Sequence, residues 1–201
     1  IMGNVVSAGI GQNPARQAAI AAGVPTSVGA VTVNKVCGSG LKAVMLAGQS
    51  IRLGEAEAVI AGGMESMSLA PYLLPGVRQG YRMGHGRVVD SMIHDGLWDV
   101  YGEEHMGHYG DSCALEYRFS REMQDDYAVR SYTRAREAAA DGAFDGEIVP
   151  VDVSAKRGAL RVTEDEEPGR FDEAKLRALP AAFGEDGTVT AGNASSVNDG
   201  A

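Results

Sequence analysis

The sequence predicts an α/β fold in which parallel strands alternate with helices. Two observations carry this. A β-branched run, Val31-Thr32-Val33-Asn34-Lys35-Val36, ends at Cys37, and beyond Gly38-Ser39-Gly40 the residues Leu41, Val44, Met45, Gly48 and Ile51 recur at helical spacing, so the hydrophobic period changes at the cysteine. A second apolar run, Glu57-Ala58-Val59-Ile60-Ala61, follows that helix and stops at Gly62-Gly63. Strand 31–36, helix 38–53 and strand 57–61 then make a βαβ unit, which requires parallel strands and a right-handed crossover.

The remaining elements follow in chain order. Asn13-Pro14 before Ala15, Ala18, Ala19, Ile20 and Ala22, with Gly23 beyond, supplies a cap, a proline at the first helical position and a glycine past the end, so a helix is expected there. From about Ser68 the chain turns to Pro71, Pro75, Gly76, Gly80, Gly84 and Gly86 among aromatic and charged residues, which reads as irregular backbone. A helix is predicted over about 103–117 and another from Ser120, an N-cap with Glu122 in the first turn. Met123, Tyr127, Ala128, Tyr132, Ala135 and Ala139 mark its buried stripe, and Gly142 ends it. Glu147 to Val153 reads as a strand that Pro150 confines to an edge or a bulge. Residues 154–170 read as a charged surface loop, 172–179 as a short helix, and Thr188-Val189-Thr190-Ala191 as a strand returning to the core. The strands near 31–36, 57–61 and 188–192 are apolar enough to be buried on both faces.

Composition narrows the class. The chain has 201 residues, enough for one good core, and its 27 glycines imply many tight turns. It shows no internal repeat, and no apolar run approaches the roughly 20 residues a membrane span requires. The formal charge of −9 argues against non-specific nucleic-acid binding, which draws its affinity from clustered positive charge. Two cysteines, Cys37 and Cys113, are too few for a disulfide framework and suit a reducing compartment. No basic and apolar leader pattern opens the chain. The expected location is cytoplasmic.

Cys37 is the candidate nucleophile. At a helix N-terminus, unpaired N–H groups and the positive dipole end favour a thiolate, the form that attacks carbon. Gly38 and Gly40 permit close approach of a substrate, and the N–H of Cys37 can face an oxyanion on the attacked carbonyl. The alternative is a buried structural cysteine. His105, His108 and Asp111 share helical spacing, but separated polar residues on an exposed helix need no metal, and no metal site is assigned.

The wording around Cys37 resembles the acyl-accepting cysteine motif of the thiolases: Asn34-Lys35-Val36-Cys37-Gly38-Ser39-Gly40-Leu41-Lys42. The resemblance continues, in family order, through Ala61-Gly62-Gly63-Met64-Glu65-Ser66-Met67-Ser68, His105-Met106-Gly107, Ser120-Arg121-Glu122-Met123-Gln124-Asp125, Glu147-Ile148-Val149-Pro150 and Gly187-Thr188-Val189-Thr190-Ala191-Gly192-Asn193-Ala194-Ser195. It implies a partial thiolase-like layered α/β/α core (1–67), an inserted, mostly α loop domain (68–190) that covers coenzyme A and mediates tetramer assembly, and a return to the core (191–201). The resemblance also implies that both ends are truncated. The family's Asn-Glu-Ala-Phe motif, Gly-His-Pro histidine and second, Cys-x-Gly cysteine do not occur in the chain, which is expected to be inactive alone and to expose apolar surface.

The pairing of His105 with Met106 is most like the acetyl-CoA acetyltransferases. The resemblance then implies that Cys37 carries an acetyl group between two acetyl-CoA molecules, making or splitting acetoacetyl-CoA. His105 and Met106 would line the pocket near Cys37, and Leu97, Ala182, Phe183, Ala191, Ser195 and Val197 would contact coenzyme A, Ser195 through its hydroxyl and Phe183 by packing. Ser196 stands where many members have glycine. Coenzyme A thioester is the substrate, no separate cofactor is implied, and the complete protein is expected to be a dimer or tetramer of identical chains. The alternatives are a 3-ketoacyl-CoA thiolase of fatty-acid degradation, a ketoacyl synthase, and a non-catalytic coenzyme-binding or dimer-forming piece.

Overall fold

The computed structural model describes residues 1–155 and 158–201. Lys156 and Arg157, part of the predicted 154–170 loop, lie outside the described residues. The chain divides into one unit of Ile1–His105 with Val197–Ala201 and a second of Met106–Ser196, whereas the sequence boundaries fall at 67/68 and 190/191.

The first unit is organised by a three-stranded parallel sheet, β1 (Met2–Gly3) at its centre between β2 (Thr32–Val33) and β3 (Gly62–Gly63), with Met2 opposite Thr32 and Gly62. Helix α1 (Pro14–Ala21) connects β1 to β2 and helix α2 (Ser39–Arg52) connects β2 to β3. These crossovers run in opposite directions across the sheet, so right-handed connections place the two helices on opposite faces. The α1 signals act as read: Asn13 accepts the N–H of Arg16 at 3.2 Å, Pro14 sits in the first turn, and Gly23 takes φ 80° just past the end.

The strands differ from expectation in length and place. The predicted strand 31–36 is reduced to Thr32–Val33, because Asn34 Oδ1 captures the N–H of Val36 (2.9 Å) and turns the chain away from the ladder. The predicted strand 57–61 is displaced to Gly62–Gly63, since β1 pairs only through Met2 and Gly3, bracketed by Gly62 N–H to Ile1 O (3.2 Å) and Met64 N–H to Gly3 O (2.9 Å). Burial on both faces does not hold either, for Val31 is 53% and Ile60 75% exposed.

The buried face of α2 is not its apolar stripe. Leu41, Val44, Met45 and Ile51 are exposed, and Ser39, Ala43 and Ala47 are buried against the sheet. The reason is close backbone approach: a Cβ at Gly3 would lie 2.6 Å from the carbonyl carbon of Ser39 and 2.7 Å from the nitrogen of Gly40. Only small side chains fit where helix and strand backbones nearly touch.

Beyond Met64 the unit is made of short pieces. Strand β4 (Tyr72–Leu73) pairs antiparallel with β5 (Val89–Asp90), a wide helical turn spans Met92–Leu97, and β6 (Trp98–Asp99) pairs with β7 (Glu104–His105). The helix predicted from near 103 therefore starts three residues later, at Met106. Glu103 adopts a left-handed φ of 55° in the β6–β7 turn, and His105 is a strand residue opposite Trp98.

The second unit holds α3 (Met106–Tyr117), α4 (Arg121–Ala140), the hairpin β8 (Val151–Ala155) and β9 (Gly158–Val162), α5 (Glu166–Arg170) and α6 (Glu173–Ala178). Ser120 caps α4 by accepting the N–H of Met123 (3.2 Å), and Asp172 caps α6 by accepting that of Lys175 (3.1 Å). The hairpin replaces part of the predicted loop and shifts the predicted strand 147–153 beyond Pro150. Along α4, Met123 and Tyr127 are exposed, while Asp125 and Ala128 are buried and Tyr132 is half-buried. An ion pair from half-exposed Arg121 to buried Asp125, rather than an apolar row, anchors this helix. Tyr132 stacks on Phe171 (4.7 Å, 6°) and donates to Glu167 (3.0 Å); burial and the Glu167 carboxylate push its pKa up. No helix among the described residues is long and apolar enough to cross a membrane.

Candidate active site

Cys37 sits on a tight turn between β2 and α2 and is exposed. The residue before it, Val36, has φ 46°. A β-branched side chain in the left-handed region is a genuine outlier, at a cost of about 1–3 kcal/mol that surrounding bonds must offset. Here they do: Val36 N–H goes to Asn34 Oδ1 (2.9 Å), Lys35 N–H to Ser39 Oγ (2.8 Å), and Ser39 Oγ–H to Val36 O (2.6 Å). Gly38 N–H and Ser39 N–H close the turn onto Lys35 O (3.1 Å) and Val36 O (3.0 Å).

The thiol borders an open cleft of about 400 Å³, lined among others by Asn4, Val36, Gly63, Glu65, Leu97 and Asp199. Cys37 and Leu97 are thus brought together, Leu97 at the end of the wide helical turn, a local geometry frequent at functional sites. His105 is not among the lining residues, and Val197 is half exposed one residue before the lining segment 198–201.

Two acids shape this cleft. Glu65 accepts the amide of Asn4 (3.0 Å) and the N–H groups of Val5 (2.8 Å) and Val6 (3.3 Å), and its backbone pairs with Gly200 in both directions. Asp199 accepts the N–H of Ser68 (2.9 Å), and that bond, with others to Met67 and Ser66, holds its carboxyl below the usual carboxylate range. Neither acid received a role from sequence. Its only trace is a carboxylate just past a glycine pair (Glu65) or before a glycine (Asp199), a pattern too common to single out.

The other predicted coenzyme contacts lie in the second unit. Met106 is half exposed at the start of α3, and Gly107 beside it faces the Phe183 ring so closely that an added Cβ would collide with it. Phe183 also meets His108 edge to face at 6.0 Å. Ala182, Phe183, Ala191 and Ser195 belong to one loop, fastened through Asp111 Oδ1 to the N–H groups of Thr188 and Val189 (both 2.8 Å) and through Ala182 N–H to Val189 O (2.9 Å). Asn193 bonds Asp125 (2.9 Å) and Thr190 N–H (2.7 Å). These side-chain acceptors take the donors a strand would use, so the predicted strand 188–191 is a pinned loop with Thr190 fully buried.

The family described as thiolase, N-terminal domain, matches residues 1–201. The chain belongs to the thiolase family. It is similar to acetyl-CoA acetyltransferase 2 of Arabidopsis thaliana, 56% identical over all of this chain and 51% of the relative, and to acetyl-CoA acetyltransferase of Pseudomonas aeruginosa, 54% identical over all of this chain and 52% of the relative. Among solved structures, a thiolase of Ascaris suum in complex with coenzyme A superimposes with TM-score 0.89 at 44% identity, and the acetyl-CoA acetyltransferase of Bacillus anthracis with TM-score 0.93 at 40%; this chain covers 98% of its own length and 50% of each. The chain therefore has the thiolase α/β fold and spans about half the length of the curated relatives it matches. As a thiolase segment, it carries the Cys37 turn and the pinned 182–195 loop.

Proposed function

We propose that this chain is the nucleophile-bearing part of an acetyl-CoA acetyltransferase, which joins two acetyl-CoA into acetoacetyl-CoA and runs the reverse thiolysis. One observation carries it: an exposed thiol held on a strained turn at the head of a helix, open to a cleft. The names of the relatives support the acetyl substrate, and the coenzyme A bound to the Ascaris protein supports the ligand class.

In this reading Cys37 Sγ attacks the thioester carbonyl, a C–S bond forms to Cys37 as the bond to coenzyme A breaks, and the thiol proton leaves on the released coenzyme A. The second acetyl-CoA loses an α-proton to a base, its α-carbon forms a C–C bond to the acetyl carbonyl as the C–S bond to Cys37 breaks, and the base returns the proton to the Cys37 thiolate. The family resemblance assigns that base to no residue of 1–201. Leu97, His105 and Val197 in the first unit, and Met106, Ala182, Phe183, Ala191 and Ser195 in the second, keep the substrate-contacting roles that the family resemblance gives each of them; coenzyme A enters as substrate and no separate cofactor takes part. The two free cysteines suit a cytoplasmic location, and assembly is into a homodimer or homotetramer.

The test is acetoacetyl-CoA thiolysis by the complete protein with Cys37→Ser. Turnover should fall by about three orders of magnitude or more while the melting curve is kept. Near-normal turnover overturns the nucleophile assignment, and equal turnover of a long-chain 3-ketoacyl-CoA overturns the acetyl preference.

A further inference from the structure

The turn ahead of Cys37 holds a conformation its residues do not favour, which requires a holder. Val36 cannot relax from φ 46° without breaking bonds on both of its peptide groups. Its N–H is held by Asn34 Oδ1 at 2.9 Å, and its carbonyl accepts both Ser39 Oγ–H at 2.6 Å and Ser39 N–H at 3.0 Å. The Ser39 hydroxyl also accepts the N–H of Lys35 at 2.8 Å, so one buried oxygen spans both sides of the left-handed residue. Ser39 has little freedom to move, since it lies under Gly3, where an added Cβ would come within 2.7 Å of the Ser39 Cβ. Asn34 is itself tied to the segment just after β1 by its amide to Val5 O (3.4 Å).

We propose that Ser39 is a positioning residue for Cys37: its hydroxyl, assisted by the Asn34 side chain, clamps left-handed Val36 and so fixes where the thiol stands at the head of α2. Ser39 does not touch the acyl group. It acts through the backbone of residues 35–36, and this role rests on Cys37 being the nucleophile. A simple helix-start role for the serine makes a different forecast, because that role is indifferent to what occupies position 36. Glycine adopts φ near +46° without a clamp. Replacing Val36 by glycine should therefore remove the need for the hydroxyl.

The experiment is a double-mutant cycle on the complete protein, with Ser39→Ala, Val36→Gly and the pair, read as the rate of iodoacetamide addition to Cys37 by peptide mass spectrometry near neutral pH, with Cys113 as the internal reference. In the Val36 background, Ser39→Ala should slow Cys37 about tenfold, which is about 1.4 kcal/mol and the size of one lost buried hydrogen bond. In the Val36→Gly background the same substitution should change the rate less than about twofold. Equal slowing in both backgrounds, or no slowing in either, overturns the positioning role. Should Ser39→Ala fail to fold, Asn34→Ala in the same two backgrounds replaces it, with a loss of about threefold expected only beside Val36. A wild-type Cys37 that gains no acetyl group from acetyl-CoA defeats the nucleophile reading, whereas a Cys37 that acetylates but ignores the clamp defeats the positioning role alone.

Discussion

Removing the Asp125 carboxylate should destabilise the second unit by about 3 kcal/mol. Asp125 is 3% exposed. It accepts Arg121 Nε through both oxygens (2.9 and 2.8 Å) and the Asn193 amide at 2.9 Å, and Arg121 in turn donates to Leu179 O at 2.9 Å at the end of α6. Breaking a buried ion pair from one side costs about 3–5 kcal/mol, but the Arg121 side chain is 29% exposed and recovers part of its hydration. The lost bond to Asn193 adds about 1 kcal/mol. Asp125→Ala should lower the urea midpoint of the complete protein accordingly, and Asp125→Asn by about half as much. Arg121→Ala should cost at least as much as Asp125→Ala, since it leaves the carboxylate buried and unpaired, and the double substitution should cost less than the sum. A change under about 1 kcal/mol for Asp125→Ala, or strict additivity, would refute the view that this pair pins α4 to the 188–195 loop.

At Gly3 an alanine Cβ would meet α2 backbone at 2.6 Å, so Gly3→Ala should cost about 1–3 kcal/mol as the helix is pushed off the sheet; it should also slow Cys37 alkylation, and unchanged values for both would show that the contact is slack. Asp199 gives a pH dependence. Its folded pKa is depressed by the Ser68 N–H and its neighbours, so its contribution is present above the ordinary carboxylate pKa and is lost as pH falls through the depressed folded value. The Ser68 amide should exchange faster with solvent deuterium, relative to other amides, as the pH drops through that window, and Asp199→Asn should flatten the effect; a flat profile in the unaltered protein would contradict it.

Capping and period were legible where one local bond decides the outcome. Asn13-Pro14 and Ser120 fixed helix starts to within a residue, and the period change at Cys37 located the tight turn that carries the thiol. What escaped was set by partners distant in sequence. The strand expected at 57–61 formed at Gly62–Gly63 because pairing depends on Met2 and Gly3. The strand expected at 188–191 became a loop because Asp111, 77 positions from Thr188, takes its donors. The stripe on α2 pointed away from the sheet because glycine backbones, invisible to hydrophobic periodicity, chose the face. In the candidate site Cys37 stood out by the change of period and Leu97 only through the family resemblance, whereas Ser39, Glu65 and Asp199 emerge only when the chain is folded around them.

The most direct test of the account is the mass of the Cys37 peptide after the complete protein is incubated with acetyl-CoA and digested under conditions that preserve thioesters. The account predicts a gain of one acetyl group, about 42 Da from the atoms added, on Cys37 and not on Cys113, lost again on addition of coenzyme A. Acetylation confined to another residue, or none in a protein that turns over acetoacetyl-CoA, would contradict it.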